Sequence, residues 1–459
     1  MNLFHSIRQQ IYPTHQHQNG LRSPYPLQKN RCLKRNEIMG DNAYLSLVRE
    51  NKTYRKFWIA AFISMFGEWF NTIALFLIIL QYTDSELLLG VLMAVRMGCF
   101  ALMQPLFGLL ADRVNRKKLM ILTNVLQIFL ALTFIAVDGP EDMWWLFLCS
   151  GIMMALHGLY VTAERAALPN IVNEEDLTTA NALDSATWST ALCLGAFVGG
   201  LVVSEFGVTI AFIIDSITFL IGTLLLLPLK VPQTYDKSSS GSIITSSLKD
   251  IWLGQKRIQS DPRLFRIIFA KTSWNIAGGG LAGVFLVLAG NDIEFVGAAL
   301  GFGIFFFARG LGTGIGPILA RRFFTDSEKW PRLIGLLIVV SGLFYLLVGF
   351  SLQGPLLLTL VLVTLAHTAS GGNWVLSTVL TQQWVEDEMR GRVFSTDMLL
   401  LSIGHVISTI SAGFLIENGY VNLQQGILAF ACLMIFSGFI FTIWNPKQRN
   451  TVHEHMSVE

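Results

Sequence analysis

A chain of 459 residues that is 53% hydrophobic and only 14% charged carries little more than half the charge of an average soluble domain, about 25%. That composition argues against a water-soluble enzyme of two or three domains. The balance of 33 basic against 31 acidic residues leaves +2, no excess that would draw the chain to nucleic acid.

The first 38 residues hold six Lys/Arg against one acid, Glu37, without an apolar period. This is the composition of a disordered segment, and it lacks the apolar stretch of a cleaved secretory signal. From residue 57 onward, apolar runs of about 20 residues, the length that spans a bilayer as a helix, follow one another. The first six are 57–81, 88–110, 119–137, 143–162, 181–203 and 208–229. The second six are 264–289, 296–320, 333–351, 355–381, 393–416 and 421–444. Twelve spans put both termini on one side. Thirty basic residues then fall on that side, counting Arg266 at the edge of the seventh run, and the six opposite loops hold none. The remaining three, Arg96, Lys271 and Arg309, lie inside spans. Because Lys and Arg are retained in cytoplasmic loops, both termini are expected in the cytoplasm.

The cysteines, Cys32, Cys99, Cys149, Cys193 and Cys432, are scattered without a CxxC pair, so neither a disulfide framework nor a zinc site is expected. The longest inward segment, with Ser238-Ser-Ser-Gly-Ser242 and an amphipathic stretch over 243–258, divides the spans six and six. The expected organisation is a basic tail over 1–56, a six-helix half over 57–229, a linker over 230–263, a second half over 264–445 and a tail over 446–459. Two echoes support duplicated halves, a common transporter construction. Gly108-Leu-Leu-Ala-Asp112-Arg113 is echoed by Gly316-Pro-Ile-Leu-Ala320-Arg321, and Val172-Asn-Glu-Glu-Asp176-Leu177 by Val385-Glu-Asp-Glu388-Met389.

The segment Gly108-Leu-Leu-Ala-Asp112-Arg113-Val-Asn115-Arg116-Lys117-Lys118 resembles the first inward loop of the major facilitator superfamily, Gly-x-Leu-Ala-Asp-Arg-x-Gly-Arg-Arg. Asn115 stands where that pattern has glycine, a residue type that also visits left-handed backbone. Glu164-Arg165-Ala-Ala-Leu-Pro169, Asp215-Ser-Ile-Thr-Phe219 and Arg390-Gly-Arg392-Val-Phe-Ser395 are similar to the macrolide-efflux and enterobactin-exporter branch. Gly195-Ala196-Phe-Val-Gly199-Gly200 is similar to the antiporter motif, with Ala196 replacing its proline. Met39-Gly-Asp-Asn-Ala-Tyr-Leu begins as members of the family do, so Met39 is read as the native start. The resemblance implies an all-α integral membrane protein, the twelve-helix major facilitator fold in two pseudo-symmetric halves. It also implies that Gly108, Asp112, Arg113 and Arg116 form a conformational latch between the halves.

A charge at mid-bilayer costs roughly 2.5–3.5 kcal/mol unless it pairs or faces the bundle interior. Glu68, Arg96, Asp215 and Arg309 fall near the span centres, with His157, Asn275, His367 and His405; Asp184, Lys271 and Asp397 lie nearer the ends, where they can snorkel. In the fold that the resemblance implies, spans 1, 4, 7 and 10 line the central cavity. These spans contribute Glu68, His157, Asn275 and His367, and with Arg96 of span 2 and Arg309 of span 8 they are the candidate cavity residues. Glu68 has two readings, a carboxylate that exchanges protons as the cavity switches sides, or a permanent partner of Arg96. Arg309 is either an anchor to backbone carbonyls or a cation for an anionic substrate group, and Asp215 is read as an interhelical hydrogen-bonding residue.

The expectation is a secondary exporter of the bacterial cytoplasmic membrane, moving a hydrophobic or amphipathic small molecule of drug, macrolide or siderophore type by alternating access in exchange for protons. Uptake of a solute or movement of a lysolipid is the alternative on the same fold. No Gly-x-x-x-x-Gly-Lys-Ser/Thr loop serves ATP, and no nucleophile motif or HExxH supports an enzyme. Outward loops of a few residues leave little mass for a receptor. The expected partners are the substrate, protons and lipid, without cofactor, metal or nucleic acid, and the protein is expected to be a monomer.

Overall fold

The computed structural model describes residues 43–233, 243–293, 295–444 and 446, so the reading of Met39 as the start lies outside the described residues. The chain divides into two units. Of Met1–Ser46 the described part begins a short helix, α1 (Ala43–Glu50); Leu47–Glu459 holds every later element.

Among its described residues the second unit is helical without strands. It contains α2 (Lys52–Thr83), α3 (Glu86–Arg113), α4 (Arg116–Thr133), α5 (Met143–Ala167), α6 (Leu177–Thr190), α7 (Ala196–Leu226), α8 (Ile243–Ser260), α9 (Pro262–Gly280), α10 (Leu286–Asn291), α11 (Ala298–Phe323), α12 (Trp330–Ser351), α13 (Leu356–Trp384), α14 (Asp387–Glu417) and α15 (Leu423–Ile443). Single π-turns, Ala191–Gly195 and Leu281–Phe285, join α6 to α7 and α9 to α10.

Eleven of these helical stretches are long and apolar enough to cross a membrane, and one, Leu177–Leu226, has 50 residues. At 1.5 Å per residue it would run about 75 Å, over twice the hydrocarbon thickness of about 30 Å. Gly207 breaks it, with φ 80° and ψ 171°, a conformation that a side chain would strain. Two spans result, making twelve among the described residues: spans 1–4 are α2–α5, span 5 runs from α6 to Gly207, span 6 is the remainder of α7, span 7 is α9–α10, and spans 8–12 are α11–α15.

Side-chain caps fix where several spans begin. Asn51, Ser85 and Asn115 accept hydrogen bonds from the backbone N–H groups of Tyr54, Leu88 and Lys118, satisfying donors that a helix start leaves free. Asn115 is thus not left-handed as its place in the loop motif suggested. It is extended (φ −61°, ψ 114°) because its side chain caps α4.

One end of the bundle carries the basic loops with Arg113, Arg116–Lys118 and Arg321–Arg322; the other carries Asp84, Glu86, Asp292 and Glu417. The first six spans meet the last six chiefly where span 2 packs on span 11 and span 5 on span 8. Glycines set these approaches. A Cβ added at Gly90 would lie 2.3 Å from the Thr409 carbonyl oxygen, at Gly413 2.3 Å from that of Glu86, and at Gly303 2.7 Å from that of Ala196. Next to them Glu417 accepts hydrogen bonds from the Ser85 hydroxyl and the Leu87 N–H. Toward the basic end the spacing relaxes. At Gly314 the nearest atom, of Ser189, would be 3.4 Å away, and at Gly98 the nearest, of Val406, 3.9 Å away.

The linker stretch forms α8 and docks on span 11. Arg257 donates to both oxygens of Glu386 (2.9 and 3.0 Å) and to the Trp384 carbonyl (3.1 Å), and Arg392 donates to Asp250 (2.8 Å). The Arg257 hydrogen bond holds the Glu386 carboxyl below its usual range. Its contribution to docking is full above the ordinary glutamate value, about 4.3, and is lost as pH falls through the lower native value. Amide exchange over 249–260, corrected for its intrinsic rate, should therefore rise below about pH 4. Arg257→Gln should raise it already at neutral pH, and unchanged exchange in both cases would refute the docking role.

Candidate functional site

Span 1 brings Glu68 and Thr72 to one face, being four residues apart; span 4 does the same for Ser150 and His157, seven apart. Arg96 of span 2 reaches both faces. Its Nη2 donates to Glu68 Oε1 (3.3 Å) and Thr72 Oγ1 (3.0 Å), and its Nη1 donates to Ser150 Oγ (3.2 Å). His157 Nδ1 lies 3.2 Å from Glu68 Oε2. One carboxylate is thus clamped between a guanidinium and an imidazole. The group is not sealed, since the side chains of Glu68 and His157 remain 16 and 19% exposed.

Asp215 lies behind this cluster, facing Asn71 with Glu68 and Arg96 in electrostatic range. It is fully buried, yet neither carboxylate oxygen makes a hydrogen bond of good geometry. Asn71 of span 1 is the polar side chain that faces it, and the Asn71 amide likewise makes no hydrogen bond of good geometry.

In the last six spans Arg309 donates Nη1 to the Ala282 carbonyl (2.9 Å) and lies over the Phe306 ring at 5.3 Å. His367 shares a 2.6 Å hydrogen bond with the Tyr345 hydroxyl. Asn275 donates to the Leu401 carbonyl (2.8 Å) and so joins span 7 to span 11, apart from this group. The two sets meet through rings: Phe306 lies 5.5 Å from Trp69, the neighbour of Glu68, and 5.9 Å from Phe76.

Lys271 and Asp397 do not snorkel. They form an ion pair with 1 and 0% of their side chains exposed, because their faces of spans 7 and 11 pack on each other and no water is within reach. The glycines 278–280 complete α9, with Gly279 and Gly280 tight against span 11. In the loop motif, Arg116 donates to the carbonyls of Ala166 (2.6 Å) and Ala111 (3.1 Å), bridging the ends of spans 4 and 2. Arg113 ends α3, and the surroundings of Gly108 and Asp112 lie outside what is described. Thr72, Ser150 and Tyr345 were not singled out in the sequence, although their i+4 and i+7 spacings to Glu68 and His157 are the signal for the first two.

The family model for the Major Facilitator Superfamily matches residues 57–364. The chain belongs to the major facilitator superfamily. It is a multi-pass membrane transporter and not an enzyme. BacE of Bacillus subtilis, named as a bacilysin exporter, is 25% identical over 383 residues, covering 83% of this chain and 91% of that protein. Macrolide efflux protein A of Streptococcus pyogenes is 21% identical over 367 residues, covering 80 and 89%. Among solved structures, a bacterial homolog of the human lysosomal transporter Spinster, inward-facing and unoccupied, superposes with TM-score 0.67 at 15% identity, covering 89% of this transporter and all of that chain. The nucleoside transporter NupG gives 0.63 at 16% identity, covering 85 and 98%. These likenesses establish the fold.

Proposed function

We propose that the protein is a proton-coupled exporter of amphipathic small molecules, with Glu68 as the group that carries the proton. The observation that carries this reading is the clamp on Glu68: a partly accessible mid-span carboxylate held by Arg96 and His157. Protonation removes the charge that both partners hold, so the cluster has two states that differ in contacts, which is what coupling to a rocking motion requires. The basic end is assigned to the cytoplasm by the retention of Lys and Arg, and the tight span 2–11 and 5–8 contacts then close the outer side. Exporter names among the relatives, for bacilysin and macrolides, support the direction and the substrate class. A 100 mV potential supplies about 2.3 kcal/mol per charge, an adequate drive.

The test uses everted vesicles energised by a proton gradient and a panel of hydrophobic dyes, macrolides and catecholate siderophores. Uptake into the vesicles should collapse with a protonophore and fall at least tenfold in Glu68→Gln. Protonophore-sensitive transport that survives in this variant would return Glu68 to a structural pairing role.

A further inference from the structure

The two halves carry the same constellation, with one member missing. Arg96 of span 2 and Arg309 of span 8 stand 213 positions apart, and His157 of span 4 and His367 of span 10 stand 210 apart, the spacing of the motif echoes. The structure completes the correspondence. On span 1 Arg96 meets Glu68; on span 7 Arg309 meets Ala282, 214 positions later. A carboxylate in one half is answered by a backbone carbonyl in the other.

The charge balance differs accordingly. Arg96 has Glu68 and Asp215 in electrostatic range, whereas Arg309 has no carboxylate in range among the described residues. Its titratable neighbours are Tyr345, His367 and His405 from spans 9, 10 and 11, none of them a carboxylic acid. Arg309 uses Nη1 on one carbonyl, and its Nε is buried without a partner. The guanidinium stays charged at any biological pH, and an uncompensated charge at this depth is costly. It also lies on the inner side of its helix, since Leu311 and Ile318, at 41 and 67% exposure, mark the lipid side about 200° away at 100° per residue.

We infer that the transported molecule carries a carboxylate, which pairs with Arg309 as Glu68 pairs with Arg96. The fork of an arginine suits a planar carboxylate, and the half-buried Trp69 ring, packed on the Phe306 ring that Arg309 overlies, offers apolar surface to the rest of such a molecule. This inference rests on the transport reading for its meaning but not for its test.

The test is binding to the purified full chain. The probes are 11-(dansylamino)undecanoic acid and its methyl ester, which differ only in the charge at one end. The acid should bind at least tenfold more tightly than the ester, and Arg309→Gln should make the two equal. Ala282→Glu, which supplies the missing carboxylate from the chain itself, should equalise them as well. It also serves if Arg309→Gln fails to fold, as judged by gel filtration and circular dichroism. Equal binding of acid and ester to the parent, no saturable binding of either, or a preference that survives both variants would overturn the inference. Failure of proton-driven transport in vesicles with the acid preference intact would instead refute the exporter reading and leave this one standing.

Discussion

Replacing Asp397 by asparagine should destabilise the protein by about 3–5 kcal/mol, the usual result of leaving a buried charge without its partner. Lys271 Nζ bonds Asp397 with no solvent at either end, and its other neighbour is the Trp374 ring, 4.9 Å away. A ring face offers such an ammonium on the order of 2 kcal/mol when desolvated, too little to replace the carboxylate. Asparagine keeps the shape, so the loss is one of charge. The measurement is equilibrium unfolding in detergent, with Lys271→Met/Asp397→Leu as control, because an apolar pair of similar volume restores most of what the broken pair loses. A change below about 1 kcal/mol, the range of an exposed pair, would mean that Lys271 reaches water once its partner is gone.

Gly413→Val should separate spans 2 and 11 at the acidic end. The new Cβ would fall 2.3 Å from the Glu86 carbonyl oxygen and 2.8 Å from Leu87 Cα, both backbone atoms that cannot swing aside. Overpacking typically costs 1–3 kcal/mol, which shifts a two-state equilibrium by roughly 5–150-fold. Spin labels placed on the two helices near this end should show a longer and broader distance distribution than in the parent. Any transport that needs this seal to re-form should fall in proportion. A parent-like distribution would show that the contact is not a determinant of which end is closed.

The hydropathy of the chain made the twelve spans legible, because each needs an apolar run and loses it at a charge. Their ends were less so. α2 starts at Lys52 and α14 at Asp387, several residues outside the apolar runs, since a helix continues past the hydrocarbon once its backbone hydrogen bonds are established. Depth along a span also proved separable from facing. Lys271 and Asp397 lie near span ends, yet each points at the other across a helix contact, and no linear reading supplies that direction. Glu68 beside Arg96 was accessible from depth alone. That His157 closes the same clamp, and that Arg309 lacks its counterpart, required knowing which spans touch.

The glycine contacts between the halves bear on what the protein does when it carries nothing. Backbones pressed together where a single added methyl carbon would sit within about 3 Å of its neighbour leave no width for a file of water molecules. Ions and protons cannot hop through such a joint. An idle copy held in this conformation is therefore expected to leave the gradients across the membrane intact, which proton flux into proteoliposomes without substrate would check.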